Sequence, residues 1–168
     1  MAPRAIFIGP MGSGKSTIGK AVAKSLKLTF KDTDTEIEKM ENLSISQIFL
    51  DKGEEYFRSV EKIVLRQELL CDDTVLALGG GAPMTVDAQS ALRVISSKVF
   101  YLDISLASVA PRIGFNRDRP LLLTNPRGQW QTLMEQRRPI YESIADVVID
   151  VNNRSERDVV KQVLEVLL

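Results

Sequence analysis

The stretch GPMGSGKST, residues 9–17, decides the fold. It contains the pattern G-x-x-x-x-G-K-[ST], which carries meaning only between a buried strand and a helix. Both flanks are present. Ala5 to Ile8 is a short apolar run ended by Gly9, and Lys15 to Leu26 places Ile18, Ala21, Val22, Ser25 and Leu26 at helical spacing. In that setting Gly12, Ser13 and Gly14 let the backbone curl its N–H groups around an anion. The helix behind them aims its positive end at the same point. Lys15 reaches the β- and γ-phosphates of a nucleotide, the Ser16 hydroxyl offers a ligand to Mg²⁺, and Thr17 completes the nucleotide-binding run.

Outward from this loop, apolar runs alternate with amphipathic ones. Short strands are expected near residues 28–31, 74–78, 99–102 and 147–151. Helices are expected at 35–40, from a Ser44 cap onward, from Gly53 to about Leu70, and at 86–94, 106–113, 129–144 and from Ser155 to the end. Pro139 predicts a boundary or kink in the sixth of these. Residues 114–128, rich in Arg, Pro, Asn and Gly, read as a mobile loop. Strands alternating with helices give an α/β fold: a parallel sheet covered on both faces. At 168 residues without repeat or linker, one domain is expected.

Composition excludes several function classes. Lys plus Arg and Asp plus Glu are both 22, so no net charge draws the chain to nucleic acid or an acidic membrane. There is no histidine, which removes Ser-His and Cys-His pairs and histidine metal sites. The single cysteine, Cys71, forms no intramolecular disulfide and fits a reducing cytoplasm. No apolar run approaches a membrane span, and the first residues run directly into a strand without a signal-peptide pattern.

A Mg²⁺ site wants a carboxylate, and the third strand ends in glycines rather than an acid. Asp32, ending the second strand, is the nearest candidate, directly or through water, with a helix cap as its plainer role. Asp34, two residues on, is placed to orient an attacking hydroxyl and take its proton. Gly79, Gly80 and Gly81 at a strand end allow close backbone approach to a ligand. Arg58 and Arg137 converging on one pocket would hold a carboxylate bidentately, although Arg58 beside an apolar face also reads as an ordinary snorkelling residue. Phe57 and Arg58, adjacent on a helix, should point in different directions. Asn116 to Leu121 carries two arginines, as a lid that closes over phosphates would. Trp130 reads as packing or surface rather than ligand contact.

GPMGSGKST at 9–17, DTD at 32–34, GEEYFR at 53–58, GGGA at 79–82, RPLL at 119–122 and RRPIY at 137–141 together closely resemble the shikimate kinase family. The P-loop alone is unspecific, but the combination, in order and spacing, spans nearly the whole chain. The resemblance implies a three-layer α/β/α fold of the P-loop NTPase type, with a five-stranded parallel sheet in the order 2-3-1-4-5. It implies one kinase domain over 1–168, with a substrate-binding helical segment at about 33–61 and a lid at about 114–124. The implied reaction moves the ATP γ-phosphoryl group to the 3-hydroxyl of shikimate, with Mg²⁺ as cofactor.

Carried over by the resemblance, Lys15 and Ser16 hold phosphate and metal, and Asp32 supports the metal through water. Asp34 meets the reacting hydroxyl, and Arg58 and Arg137 bind the shikimate carboxylate. Gly79, Gly80 and Gly81 approach the ring, and Phe49 and Phe57 pack near it. Arg119 is the lid arginine, Arg112 lies against adenine, and Arg154 flanks it. The spacing R-x-P-x-Y selects Arg137 over Arg138. A cytoplasmic monomer acting on ATP and shikimate, without nucleic acid or membrane partners, is implied. The alternatives are a related P-loop kinase such as a gluconate kinase, or a nucleotide-binding module without catalysis.

Overall fold

A computed structural model describes residues 1–113 and 125–168. The expected lid segment, with Arg117 and Arg119, lies outside the described residues. The elements follow the order β1 (Ala5–Ile8), α1 (Lys15–Leu26), β2 (Thr29–Asp32), α2 (Thr33–Glu41), α3 (Ile45–Glu68), β3 (Thr74–Ala77), a 3₁₀ turn at Ala82–Met84, α4 (Val86–Val94), β4 (Lys98–Asp103), α5 (Leu106–Ile113), α6 (Pro126–Ile144), β5 (Val147–Asp150) and α7 (Glu156–Leu167).

The strands form one parallel sheet in the order β2-β3-β1-β4-β5. The expected order therefore holds. Strands β1 and β3 are buried along their whole length, which is why they read as continuous apolar runs rather than alternating ones. Phe7 and Phe100 stack across β1 and β4 with centroids 5.3 Å apart, within the main core. A second, smaller core of Ile37, Ile45, Ile48, Phe57, Val60 and Val64 joins α2 to α3. The segment between β2 and β3 thus carries its own apolar centre, beside the ends of the strands.

Two local features depart from simple helical periodicity. Gly53 interrupts α3 with φ 85° and ψ 169°, a conformation that glycine adopts without steric cost. The kink separates the Ser44-capped first part of the helix from the part that carries Phe57 and Arg58. At Pro139 the expectation of a boundary is not met, since α6 runs without a break from Pro126 to Ile144. The proline removes one backbone donor, while Trp130, Met134, Tyr141 and Ile144 keep the helix seated on the core. Among the described residues no helix is long and apolar enough to cross a membrane.

Candidate active site

The site is built at the carboxyl ends of the strands, where open parallel sheets hold their ligands. The loop after β1 comes first. Gly9 adopts φ 147°, and a Cβ there would stand 2.7 Å from the Leu102 carbonyl oxygen. Only glycine lets the loop leave β1 so close to β4. Gly14 caps α1 at φ 95°, and no side chain caps the helix, so its start faces the loop as an anion site. Lys15 Nζ donates to the carbonyl oxygens of Gly9 and Pro10 at 2.8 and 2.9 Å, folding the ammonium over the loop. Ser13 Oγ donates to Pro10 O at 2.8 Å and braces the same turn.

At the end of β2, Asp32 holds two elements at once. Its Oδ2 accepts from Ser16 Oγ at 2.6 Å, and its Oδ1 accepts from the Asp34 amide at 2.9 Å, capping α2. The cap and the contact with the P-loop serine are therefore simultaneous. Ser16 and Asp32 supply a hydroxyl and a carboxylate, the hard oxygen donors that Mg²⁺ takes alongside substrate phosphates and water. Among the described residues no group of three or more acidic or sulfur side chains gathers for a metal.

The next residues fasten β2 to β3. Thr33 is fully buried, and its Oγ1 accepts from the Gly79 amide at 2.9 Å. Asp34, nearly buried, lies directly on Gly79, where an added Cβ would stand 2.7 Å from Oδ1. Gly81 and Gly80 play the same part for the arginines. A Cβ on Gly81 would stand 2.5 Å from Arg58 Nη1, and one on Gly80 3.1 Å from Arg137 Nη1. Each glycine thus gives up its side-chain volume to one charged group.

Arg58 and Phe57 do not diverge as their adjacency predicts. Both line the same cavity, because the long arginine side chain folds its guanidinium back to 5.2 Å over the Phe57 ring. Glu61, one turn on, anchors it at 2.8 Å, and Glu54 stands 3.6 Å away. Burial pushes the Glu61 carboxyl above its usual range, with the Arg58 charge opposing the shift. Phe49 packs on Phe57 with centroids 4.8 Å apart. Across the cavity, Arg137 faces this wall, whereas Arg138 turns away to pair with Asp103 at 2.7 Å. Trp130 is buried rather than exposed. It lines this cavity and donates from Nε1 to Met11 O at 3.2 Å, joining α6 to the P-loop.

Among the described residues three adjoining cavities result, whose linings could take an acceptor, phosphates and a nucleotide base in turn. The acceptor cavity is bounded by Asp34, Phe49, Arg58, Gly79–Gly81 and Arg137. A phosphate cavity lies between Lys15, Ser16, Asp32 and Asp34, and shares Gly79 and Gly80 with the first. A third cavity, sharing Gly12, Gly14 and Thr17 with the second, opens toward Arg112, Val151, Arg154 and Val159. Arg112 Nη1 donates to Gly12 O at 2.9 Å, and Arg154 is held by Gln162 at 2.6 Å.

All the sequence-predicted site residues within the described segments therefore border this chain of cavities. Glu61, Thr33 and Trp130 had no site role in the sequence reading. Glu61 stands three residues from Arg58 on a helix, a spacing that brings opposite charges together. Thr33 and Trp130 have no local signal.

The sequence model of the shikimate kinase family matches residues 11–168. The chain belongs to the shikimate kinase family. It is an ATP-dependent kinase that phosphorylates shikimate. A shikimate kinase of Streptomyces avermitilis is 42% identical over 165 residues, covering 98% of this chain and 95% of that protein. A shikimate kinase of Pseudomonas entomophila is 44% identical over 161 residues, 95% of this chain and 93% of its own. Among solved structures, a shikimate kinase from Acinetobacter baumannii in complex with shikimate superposes with TM-score 0.94 at 33% identity, over 99% of this chain and 93% of that one. A gluconokinase from Sinorhizobium meliloti reaches only TM-score 0.57 at 18% identity, over 99% of this chain and 91% of that one, and shares the fold alone. Membership in the shikimate kinase family thus favours shikimate over the gluconate alternative.

Proposed function

We propose that this chain transfers the γ-phosphoryl group of ATP to the 3-hydroxyl of shikimate through the residues gathered along the three cavities. The observation that carries the reading is Asp34, which borders both the acceptor cavity and the phosphate cavity. A carboxylate there can orient an acceptor hydroxyl toward phosphorus and receive its proton as the P–O bond forms and ADP departs. Arg58 and Arg137 supply a two-sided clamp for the shikimate carboxylate. Gly79–Gly81 bring the backbone close to the ring hydroxyls, and Phe49 and Phe57 cover the ring's apolar face.

On the donor side Gly12, Ser13, Gly14 and Thr17 surround the phosphates, and Lys15 swings from its loop carbonyls to them. Arg112 and Arg154 flank the third cavity, the natural place for the adenine. Ser16 and Asp32 would hold Mg²⁺, which when bound neutralises the phosphate charge. Arg119 remains the proposed lid cation within about 114–124, and residues of about 33–61 are the proposed substrate-binding segment. A monomer in a reducing cytoplasm is the proposed setting, in line with the lone Cys71.

The test is ADP release from MgATP in the presence of shikimate, with gluconate as the competing acceptor. Shikimate-dependent ADP, with phosphate recovered on the 3-hydroxyl, is expected. Release with gluconate and none with shikimate would overturn the proposal.

A further inference from the structure

We propose that Tyr141 is a positioning residue for substrate binding, its hydroxyl joining Arg137 to the backbone of Gly80. The inference rests on the reading of Arg137 as half of the carboxylate clamp. Tyr141 is fully buried, and its hydroxyl donates to Gly80 O at 2.6 Å. The Arg137 guanidinium gathers at the same place. A methyl on Gly80 would stand 3.1 Å from Arg137 Nη1 and 3.6 Å from the Tyr141 hydroxyl oxygen.

A phenol can accept one hydrogen bond while donating another. With its proton directed at Gly80 O, the oxygen's lone pairs are left to the guanidinium beside it. Burial pushes the phenol up to about 12, while the Arg137 charge opposes that shift, so the hydroxyl keeps its proton at neutral pH.

The ring behind the hydroxyl is itself fixed. Tyr141 packs on Tyr101 with centroids 5.1 Å apart. Tyr101 in turn donates to Asp103 at 2.8 Å, and Arg138 grips the same carboxylate oxygen. The side chain therefore has little freedom to move its oxygen away from Gly80. Arg137 and Tyr141 lie four residues apart on α6, on either side of Pro139, where the helix lacks a backbone donor. The bond to Gly80 fixes that stretch of helix against the glycine turn. A long arginine side chain loses several rotors when it binds, and holding it beforehand lowers that cost. Arg137 is held by the tyrosine as Arg58 is held by Glu61 at 2.8 Å, on opposite sides of the cavity.

The experiment is a double-mutant cycle on steady-state kinetics and thermal melting with Tyr141→Phe, Arg137→Ala and the pair. Tyr141→Phe should raise the KM for shikimate about tenfold, the order expected for one buried hydrogen-bond partner. The KM for ATP should stay within about twofold, since Tyr141 itself lines neither nucleotide cavity. In the Arg137→Ala background the same substitution should change the shikimate KM by less than about twofold, because its target is gone. A shikimate KM unchanged by Tyr141→Phe, or raised by the same factor in both backgrounds, overturns the proposal.

If Tyr141→Phe does not fold, protein labelled with ¹³C at tyrosine Cζ is titrated with shikimate instead. A shift of the Tyr141 signal that disappears in Arg137→Ala supports the assignment. No shift, or one undiminished in that variant, overturns it. Absence of shikimate-dependent turnover in the unsubstituted protein would count against the functional reading itself, which keeps the two failures apart.

Discussion

Ser16 Oγ donates to Asp32 Oδ2 at 2.6 Å, so the P-loop serine and the end of β2 are joined directly. Asp32 also caps α2. The two duties separate by substitution. Asparagine caps a helix about as well as aspartate, so Asp32→Asn should leave the melting temperature nearly unchanged. It should raise the Mg²⁺ concentration for half-maximal ADP release by about 10–100-fold. Asp32→Ala should show the same Mg²⁺ defect and lose about 1 kcal/mol of stability as well. Wild-type Mg²⁺ dependence in Asp32→Asn would remove the residue from the metal site.

Gly79 and Asp34 test the close packing at the reacting end. Because an added Cβ would stand 2.7 Å from Asp34 Oδ1, Gly79→Ala should displace the carboxylate. A displacement near 1 Å costs about a hundredfold in turnover. Nucleotide affinity, measured by ADP titration, should change little. Normal turnover in Gly79→Ala would show that Asp34 does not act from this position.

Glu61 predicts a pH signature. Burial raises its carboxyl pKa in the folded chain, so the native state binds its proton more tightly than the unfolded state does. Between the unfolded pKa near 4.5 and the raised folded value, stability from this group falls as pH rises. Glu61→Gln lacks that dependence. Its melting temperature, compared with wild type across pH 4–8, should therefore gain on wild type as pH climbs from about 4.5 and then level off. Its shikimate KM should rise, because Arg58 loses its anchor. A constant difference across the range would contradict the buried, raised carboxyl.

Arg137 and Arg138 should behave oppositely although adjacent. Arg137→Ala should raise the shikimate KM by about 10–100-fold, as expected for lost hydrogen bonds to a charged group. Arg138 pairs with Asp103 at 2.7 Å in a partly exposed bridge, so Arg138→Ala should cost at most about 1 kcal/mol and leave that KM alone. Kinetics of the two single variants decide the assignment, and a larger KM effect from Arg138→Ala would reverse it.

Trp130 is the chain's single tryptophan and sits between the acceptor cavity and the P-loop carbonyl of Met11. Shikimate should therefore change the intrinsic fluorescence in a saturable titration. A response no different from that to an inert polyol would place the indole outside the binding event.

The legible and illegible parts of the site differ by the range of their causes. GPMGSGKST could be read because strand, glycine turn and helix start are consecutive, and their geometry is set by neighbours along the chain. Asp32, Asp34 and the three glycines were legible for a related reason, since strand ends in a parallel sheet face the ligand crevice. The long-range contacts that brace the acceptor groups were not. Thr33 meets Gly79 across 46 residues, Tyr141 meets Gly80 across 61, and Trp130 meets Met11 across 119.

By itself, the sequence determined a P-loop on a parallel α/β sheet, and through its combined motifs the family. Periodicity and turn chemistry are local, and they survive in one dimension. Only the tertiary structure decided that Arg58 folds back over Phe57, that Arg138 turns away toward Asp103, and that each glycine of the triplet bears one charged group. Those outcomes depend on which surfaces are pressed together when helices close over the sheet, and close packing of that kind has no signature in the spacing of residues along a chain.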